Sequence, residues 1–391
     1  MTTSRRHHHR CSPTKDPLDD DDLLAEILLR LPPQPSSLPH ASLVCKWWRG
    51  LVSDPRFRRS FRLHHRRNPP LLGFFGRDNA LSFVPTLEAP NRVPPGRFSL
   101  QRGYGDRFVS LGCRHGLVLI FNVPRNQVLV WDPVTGDQRR LAIPPEVATY
   151  AEMATTNGAV LHAAGDVQKF QVVLVVAEVE DEEHKRAVAC IYSSETGLWG
   201  DPTSAPLPSG HDPTLIRHSA VLAEHSLYWM LASMLLENFV GILEFDLEKH
   251  SLAVIQVPVH MLEQSQHRFS IMRAEGDGLG LLFYKDRGFQ LWKRVTDYNG
   301  VASWGLGRTI GLDKLSVNLE GNDIMILGFA DENNVVFVCT RDIRFMVHLE
   351  SSQCQKLMGT YSHYHHPFES VYTAETCIGD EHDAADLLRH T

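Results

Sequence analysis

The stretch from Pro17 to Phe61 carries more apolar helical surface than so short a segment can bury. Its first part predicts a helix, because apolar residues recur there three or four positions apart. These apolar positions are Leu23, Leu24, Ile27, Leu28 and Leu31. The run of aspartates at positions 19–22 supplies an N-cap and negative charge at the positive end of the helix dipole. Pro32 and Pro33 end the helix.

Two further helices are predicted before residue 62. After Pro35, Ser36 or Ser37 can cap a second helix with its own apolar stripe. That stripe consists of Leu38, Ala41, Val44, Cys45, Trp48 and Val52. Asp54 followed by Pro55 is a helix-start signal, and Phe57 and Phe61 then lie one turn apart on the third helix.

The three predicted helices need a partner surface. A segment of about forty residues buries too little surface to fold alone, and each buried Leu or Ile is worth roughly 1.5–3 kcal/mol. The apolar stripes are therefore covered either by the rest of this chain, as a helical hairpin packed on its own C-terminal domain, or by a second protein.

The motifs of this segment favour the second protein. Leu23-Leu24-x-Glu26-Ile27-Leu28-x-Arg30-Leu31-Pro32 is followed by Leu43-Val44-Cys45-Lys46-x-Trp48-Arg49-x-Leu51-Val52 and by Asp54-Pro55-x-Phe57. In this order and at this spacing, the segment resembles an F-box. One departure is that F-boxes usually open with Leu-Pro, whereas four aspartates follow Leu18 here. The resemblance implies docking on a Skp-type adaptor, which is in turn bound to a cullin scaffold in a ubiquitin ligase.

The residues expected to bind the adaptor, or to form the small core that supports the binding surface, follow from this resemblance. They are Leu18, Leu23, Leu24, Ile27, Leu28, Leu31, Pro32, Leu38, Val44, Cys45 and Trp48. The sequence does not divide them into surface and core residues.

Composition limits the other classes of protein that the chain can belong to. Residues 71–391 contain 26 Lys and Arg against 39 Asp and Glu, and an acidic domain has little attraction for nucleic acid. Residues 1–16 are predicted to be a disordered, basic, His-rich tail without the apolar run of a secretory signal. No segment predicts a membrane crossing, and seven scattered cysteines are typical of free thiols in a reducing compartment. We therefore expect the cytoplasm, the nucleus or both.

From Leu71 onward, short apolar runs alternate with turn residues, which predicts an all-β domain. In Trp131-Asp-Pro-Val-Thr-Gly136 an aromatic residue ends one strand and a polar turn leads to the next. Similar positions recur at Tyr192, Phe245, Trp292 and His348, with intervals of 61, 53, 47 and 56 residues. A period of about fifty residues in strands indicates the blades of a β-propeller.

The predicted domain organisation is a helical module at residues 17–67, a β-propeller of six or seven blades at residues 71–375 and a flexible tail at residues 376–391. A pair of β-sandwiches is the alternative fold for the β domain, because the intervals are irregular. The β domain also resembles the propellers of plant F-box proteins, in segments such as Ser110-Leu-Gly-Cys-Arg-His-Gly-Leu-Val-Leu and Val130-Trp-Asp-Pro-Val-Thr-Gly. In that family the propeller holds the protein that is to be ubiquitinated, and the resemblance does not say which protein.

The sequence contains none of the motifs of nucleophile elbows, phosphate-binding loops or zinc-binding helices. His363, His365 and His366 form a weak candidate metal site without a nearby cysteine or carboxylate. We therefore predict a non-catalytic receptor subunit without a cofactor or metal, with unknown target-binding residues. The alternative is an enzyme or lectin-like propeller with a small-molecule or glycan pocket on the ring axis, capped by the helices.

Overall fold

The computed structural model describes residues 20–77, 81–101, 103–148, 156–163, 166–179, 185–208, 212–262, 264–311, 324–340, 343–357 and 365–373. The chain divides into two compact units. The helical unit comprises residues 1–66 and 371–391, and the β unit comprises residues 67–370. This division places residues 371–373 in the helical unit, whereas the predicted β-propeller extends to residue 375. The predicted tails at residues 1–16 and 376–391 lie outside the described residues.

The described part of the helical unit contains four helices: α1 (Asp21–Leu29), α2 (Ser37–Ser42), α3 (Lys46–Ser53) and α4 (Pro55–His65). Asp20 caps α1, since its Oδ1 accepts hydrogen bonds from the backbone N–H groups of Asp22 at 3.0 Å and Leu23 at 3.3 Å. Asp54 caps α4 in the same way, with Pro55 in the first turn. Both helix starts agree with the capping signals in the sequence.

The second predicted helix is divided into α2 and α3. The backbone of Cys45 is extended, with φ −160°, and its Sγ accepts a hydrogen bond from the N–H of Trp48 at 3.5 Å. Cys45 is thus an N-cap and not a residue of a helix interior. The apolar spacing from Leu38 to Val52 continues across this break, which is why periodicity alone predicted one helix there.

The four helices bury a core of their own. It consists of Leu24, Leu28, Leu38, Ala41, Val52, Phe57, Phe61 and, from the C-terminal segment, Val371. The rings of Phe57 and Phe61 lie 6.3 Å apart on α4, as their one-turn spacing predicts. The helical unit therefore buries part of its apolar surface within its own core.

The described strands of the β unit form six antiparallel sheets, which we call blades 1 to 6. Blade 1 consists of β1 (Leu71–Arg77), β2 (Leu81–Pro85) and β25 (His366–Glu369). Blade 2 consists of β3 (Phe108–Arg114), β4 (Leu117–Asn122), β5 (Gln127–Trp131) and β6 (Gln138–Ala142). Blade 3 consists of β7 (Thr156–Ala163), β8 (Asp166–Val179), β9 (Lys185–Ser193), β10 (Leu198–Trp199) and β11 (Thr203–Pro206).

The remaining blades have the same meander order. Blade 4 consists of β12 (Pro213–Leu215), β13 (Val221–Ala223), β14 (Ser226–Ser233), β15 (Phe239–Asp246) and β16 (Ser251–Ile255). Blade 5 consists of β17 (Phe269–Arg273), β18 (Leu279–Lys285), β19 (Gly288–Thr296) and β20 (Ala302–Gly311). Blade 6 consists of β21 (Ile324–Ala330), β22 (Val335–Thr340), β23 (Ile343–His348) and β24 (Cys354–Leu357). Two short helices, α5 (Pro145–Ala148) and α6 (Val259–Leu262), connect blades 2 and 3 and blades 4 and 5.

Apolar clusters between successive blades close the sheets into a ring. Separate clusters join blades 2 and 3, 3 and 4, 4 and 5, 5 and 6, and 6 and 1. Aromatic rings join blade 1 to blade 2, with Trp131 5.6 Å from Phe75. The C-terminal strand β25 pairs with β1, so both ends of the domain build blade 1. The β domain is a six-bladed propeller, which confirms the predicted fold class and excludes the sandwich pair.

Of the helices in the described part of the chain, none combines the length and the apolar character that a bilayer crossing requires.

Candidate docking surface on the helical unit

Five large apolar side chains on α1, on α3 and between α2 and α3 are exposed to solvent. Leu23 and Ile27 lie one turn apart on α1, with 50% and 43% of their surface exposed. Leu43 and Val44 lie between α2 and α3, with 54% and 62% exposed, and Trp47 on α3 is 37% exposed. We call these five residues the docking patch. Exposed apolar side chains concentrated on a small module are typical of a protein-binding surface.

Two hydrogen bonds hold α1 in place beside the other helices. The indole Nε1 of Trp47 donates to Oδ1 of Asp21 at 2.6 Å, which fixes the start of α1 next to α3. At the other end, Nε2 of His65 lies 2.9 Å from the carbonyl oxygen of Leu29. Burial lowers the pKa of His65, which favours the neutral ring that donates this hydrogen bond. The docking patch is therefore built on a preorganised surface, which reduces the entropy cost of binding.

The structure separates the predicted adaptor-binding residues into surface and core. Leu23, Ile27, Pro32, Val44 and Cys45 are exposed. Leu31 and Trp48 are partly buried against the helical core. Leu18 lies outside the described residues.

Three of the predicted residues belong to the supporting core. Leu24, Leu28 and Leu38 are at most 2% exposed, because the helices pack these side chains against one another. They form part of the core that supports the docking patch and do not belong to its surface.

Sequence reasoning missed Leu43 and Trp47 as surface residues. A single helix from Leu38 to Val52 would direct both side chains away from the apolar stripe. The break at Cys45 instead leaves Leu43 in the connection and Trp47 in the first turn of α3. A cap-forming residue in the middle of an apolar stripe is the signal that would have indicated this break.

The alternative function, an enzyme or lectin-like propeller, requires polar side chains that converge on the ring axis. The inner strands of the propeller bring such side chains together. Arg114 Nη2 lies 3.4 Å from Asp331 Oδ2, and it also donates to the carbonyl oxygen of Ala220 at 2.8 Å. Arg273 Nη2 lies 3.0 Å from Glu332 Oε2. These contacts tie blades 2, 4, 5 and 6 together at the ends of their inner strands.

Glu369 of β25 belongs to the same network. Its Oε1 accepts hydrogen bonds from Nδ2 of Asn333 at 2.7 Å and from the Asn333 backbone N–H at 3.0 Å. Burial, together with the nearby Asp331 and Glu332 carboxylates, raises the pKa of Glu369 to about 7, although the hydrogen bonds from Asn333 act to lower it. Because these contacts connect residues of different blades, the network is suited to joining blades, although Asp331 Oδ1 is buried without a hydrogen-bond partner among the described residues.

A bend between β12 and β13 also reaches the inner strands of other blades. Nδ2 of Asn157 donates to the carbonyl oxygens of Ile216 at 2.7 Å and His218 at 3.1 Å, and Oγ of Ser219 lies 3.1 Å from Nδ1 of His366. Burial lowers the pKa of His218 to about 3 and that of His366 to about 4, so both rings are neutral at pH 7. Among the described residues, no group of three or more His, Cys, Asp or Glu side chains could hold a metal ion. His363 lies outside the described residues.

Comparison with family models identifies both units. The model described as "F-box protein AT5G49610-like, beta-propeller" matches residues 110–373, about two thirds of the chain. The chain belongs to this family. A second model, described as F-box-like, matches residues 21–64, which span α1 to α4 and the whole docking patch. All the predicted adaptor-binding residues except Leu18 lie within that match.

Comparison with individual proteins adds little about this F-box protein. No curated protein matches it. The solved structures that match include regucalcin from Agrobacterium tumefaciens, with 10% identity, a TM-score of 0.35 and coverage of 62% of this chain and 69% of that chain. The allergen Mala s 1 from Malassezia sympodialis has 10% identity, a TM-score of 0.37 and coverage of 65% and 81%. The PQQ-bound aldose sugar dehydrogenase of Streptomyces coelicolor has 12% identity, a TM-score of 0.34 and coverage of 65% and 81%. Because these TM-scores are so low, no property of these proteins is assigned to this chain.

Proposed function

We propose that this chain is the substrate-recognition subunit of a Skp–cullin–F-box ubiquitin ligase. The helical unit docks on a Skp-type adaptor, which links the chain to a cullin, and the propeller recruits a target protein. The chain itself is a receptor and carries out no catalytic step. It acts in the cytoplasm, the nucleus or both, and its plant origin stays a prediction.

The observation that carries the proposal is the docking patch within the F-box-like match. The helices bury Leu24, Leu28, Val52 and Phe61 among themselves, yet the five side chains of the docking patch remain in solvent. Exposing such side chains is unfavourable, and covering each one with a partner surface is worth up to roughly 1.5–3 kcal/mol. Binding of an adaptor by the F-box-like helices accounts for this exposure.

The test is capture of a purified Skp-type adaptor by the full chain. We expect the unmodified chain to bind the adaptor, and Val44→Glu to weaken binding at least tenfold, because the substitution places a charge in an apolar interface. Val44 is 62% exposed, so the substitution leaves the helical core intact. Val259→Glu is the matched control, since Val259 is 76% exposed on the propeller.

Two outcomes would contradict the proposal. One is failure of the unmodified, folded chain to bind the adaptor. The other is equal binding by Val44→Glu and by the control variant, which would show that the docking patch does not contact the adaptor.

A further inference from the structure

The outer strand of blade 5 differs in length from the outer strands of the other blades. β20 has ten residues, whereas β6 and β16 have five and β24 has four. In the described part of the chain, β20 pairs with β19 along one edge and with no strand along the other. A free edge presents a row of backbone N–H and C=O groups, and proteins usually keep such edges short.

The residues of β20 do not prevent another strand from pairing with this edge. Eight of its residues, among them Leu306 and Arg308, are at least partly exposed in an unbroken run from Ala302 to Thr309 that includes Gly305 and Gly307. Glycine within a strand permits the close approach of another backbone, and no proline interrupts β20. Arg308 is the one charged residue of the strand, so the edge lacks the row of charges that blocks strand addition.

The β19–β20 hairpin also extends beyond the rest of its blade. β18 pairs with β19 up to Lys293, whereas β20 pairs with β19 up to Thr296. The turn that follows is ordered, since Oδ1 of Asp297 accepts hydrogen bonds from the N–H groups of Asn299 at 2.9 Å and Val301 at 2.8 Å. The extension thus holds apolar side chains away from the propeller core. Val295, Tyr298, Val301 and Leu306 are 46%, 97%, 61% and 50% exposed.

The charge of this hairpin is opposite to that of its domain. Residues 288–311 contain Lys293, Arg294 and Arg308 against Asp297 alone, whereas residues 71–391 contain 26 basic and 39 acidic side chains. Arg294 Nη1 lies 4.0 Å from Glu244 Oε2, which offsets the charge of Arg294. Lys293 and Arg308 donate to the main-chain carbonyl oxygens of Glu275 and Leu349, which do not neutralise their charge. The hairpin therefore attracts an acidic partner to an otherwise acidic domain.

We propose that the free edge of β20 is the docking site for an extended, acidic segment of the target protein, which joins blade 5 as an additional strand. An extended backbone satisfies the free N–H and C=O groups of the edge. Apolar side chains of the segment contact Leu306 and Val301, and its carboxylates face Arg308. That the bound segment belongs to a target protein rests on the proposed function. The binding of an extended segment to the edge of β20 does not depend on it.

The test uses the full chain and a labelled peptide of six Val-Glu repeats, with a peptide of six Val-Lys repeats for comparison. We expect saturable binding of the Val-Glu peptide by fluorescence anisotropy and at least tenfold weaker binding of the Val-Lys peptide. Hydrogen–deuterium exchange should show new protection in Ala302–Gly311 and in no other outer strand. Leu306→Glu should weaken binding at least tenfold, whereas Leu198→Glu, at an exposed residue of the outer strand β10, should change it less than twofold.

Three results would overturn the inference. They are no saturable binding of the Val-Glu peptide, protection outside β20, and equal binding by Leu306→Glu and Leu198→Glu. A concentration-dependent dimer in which β20 is protected without peptide would identify a second copy of this chain as the occupant instead.

The adaptor assay separates this inference from the proposed function. Leu306→Glu should keep full adaptor binding, and Val44→Glu should keep full peptide binding. Loss of adaptor binding by the unmodified chain with intact peptide binding would contradict only the ligase function. Intact adaptor binding without peptide binding would contradict only the β20 docking site.

Discussion

At the scale of single residues, the interior of the propeller is held by groups whose pKa values are moved by burial. His218 and His366 are at most 6% exposed, and both rings are neutral in the folded chain at pH 7. Burial is the main cause for both rings; His366 and His267 further lower the pKa of His218, and Arg217 further lowers that of His366. Protonation of either ring in place would bury a positive charge.

This arrangement predicts acid-sensitive folding. The folded pKa values of about 3 for His218 and about 4 for His366 lie below the ordinary value of 6.5. Between these limits the unfolded chain binds more protons, so the free energy of unfolding falls as pH falls below about 6.5, by up to about 1.4 kcal/mol per pH unit for each ring. Urea unfolding at pH 7, 6 and 5 measures this slope, and His218→Gln should make it shallower.

The pKa of Glu369 shifts in the opposite direction on folding, so Glu369 serves as a control for the two histidines. Its folded pKa of about 7 lies above the ordinary value of 4.5, so the folded chain binds the extra proton between these limits and loses stability as pH rises through them. Glu369→Gln should therefore steepen the loss of stability on acidification. A slope that neither substitution changes would show that these groups do not control the acid response.

At the scale of elements, the recurring turn positions in the sequence located the blades correctly. These positions all lie on the third strand of successive blades, counted across each sheet and not along the chain. They are Trp131 on β5, Tyr192 on β9, Phe245 on β15, Trp292 on β19 and His348 on β23. Their spacing was informative because each blade repeats one meander. The intervals are irregular because connection lengths differ, for example in the extended hairpin of blade 5.

The candidate site was less predictable than the fold. Leu24 and Ile27 share one apolar helical stripe, yet Leu24 is fully buried and Ile27 is 43% exposed. The division depends on which helices pack beside α1, and that packing depends on the break at Cys45. The contact of Arg114 with Asp331 near the ring axis joins residues more than two hundred positions apart, and local sequence patterns do not report it.

Core and surface positions of α1 should therefore respond differently to substitution. Leu28→Ala removes a side chain that is 1% exposed and should destabilise the helical unit by about 2–5 kcal/mol. Hydrogen exchange of α1 to α4 should accelerate, and adaptor binding should weaken with it. Val44→Glu should weaken adaptor binding without a change in exchange. Unchanged exchange in Leu28→Ala would contradict the assignment of Leu28 to the core.

At the scale of the whole molecule, the propeller depends on a contact between the two ends of its sequence. β25 pairs with β1 in an antiparallel register that places Gly73 opposite Phe368. Phe368 is fully buried and lies 5.3 Å from Phe75 and 5.4 Å from Phe98. Without β25 the ring is open, and the apolar faces of blades 1 and 6 become exposed.

A chain that ends at residue 364 should therefore lose the cooperative unfolding of the propeller and form aggregates, because it lacks β25. The matched control ends at Ser370, since it keeps β25 and lacks only the residues beyond it. We expect the control to unfold in one cooperative transition of the propeller in urea, and the shorter chain to do so only when a peptide of residues 365–370 is added. Equal unfolding transitions in the two truncated chains would mean that the contacts among blades 2 to 6 suffice to hold the ring without its closing strand.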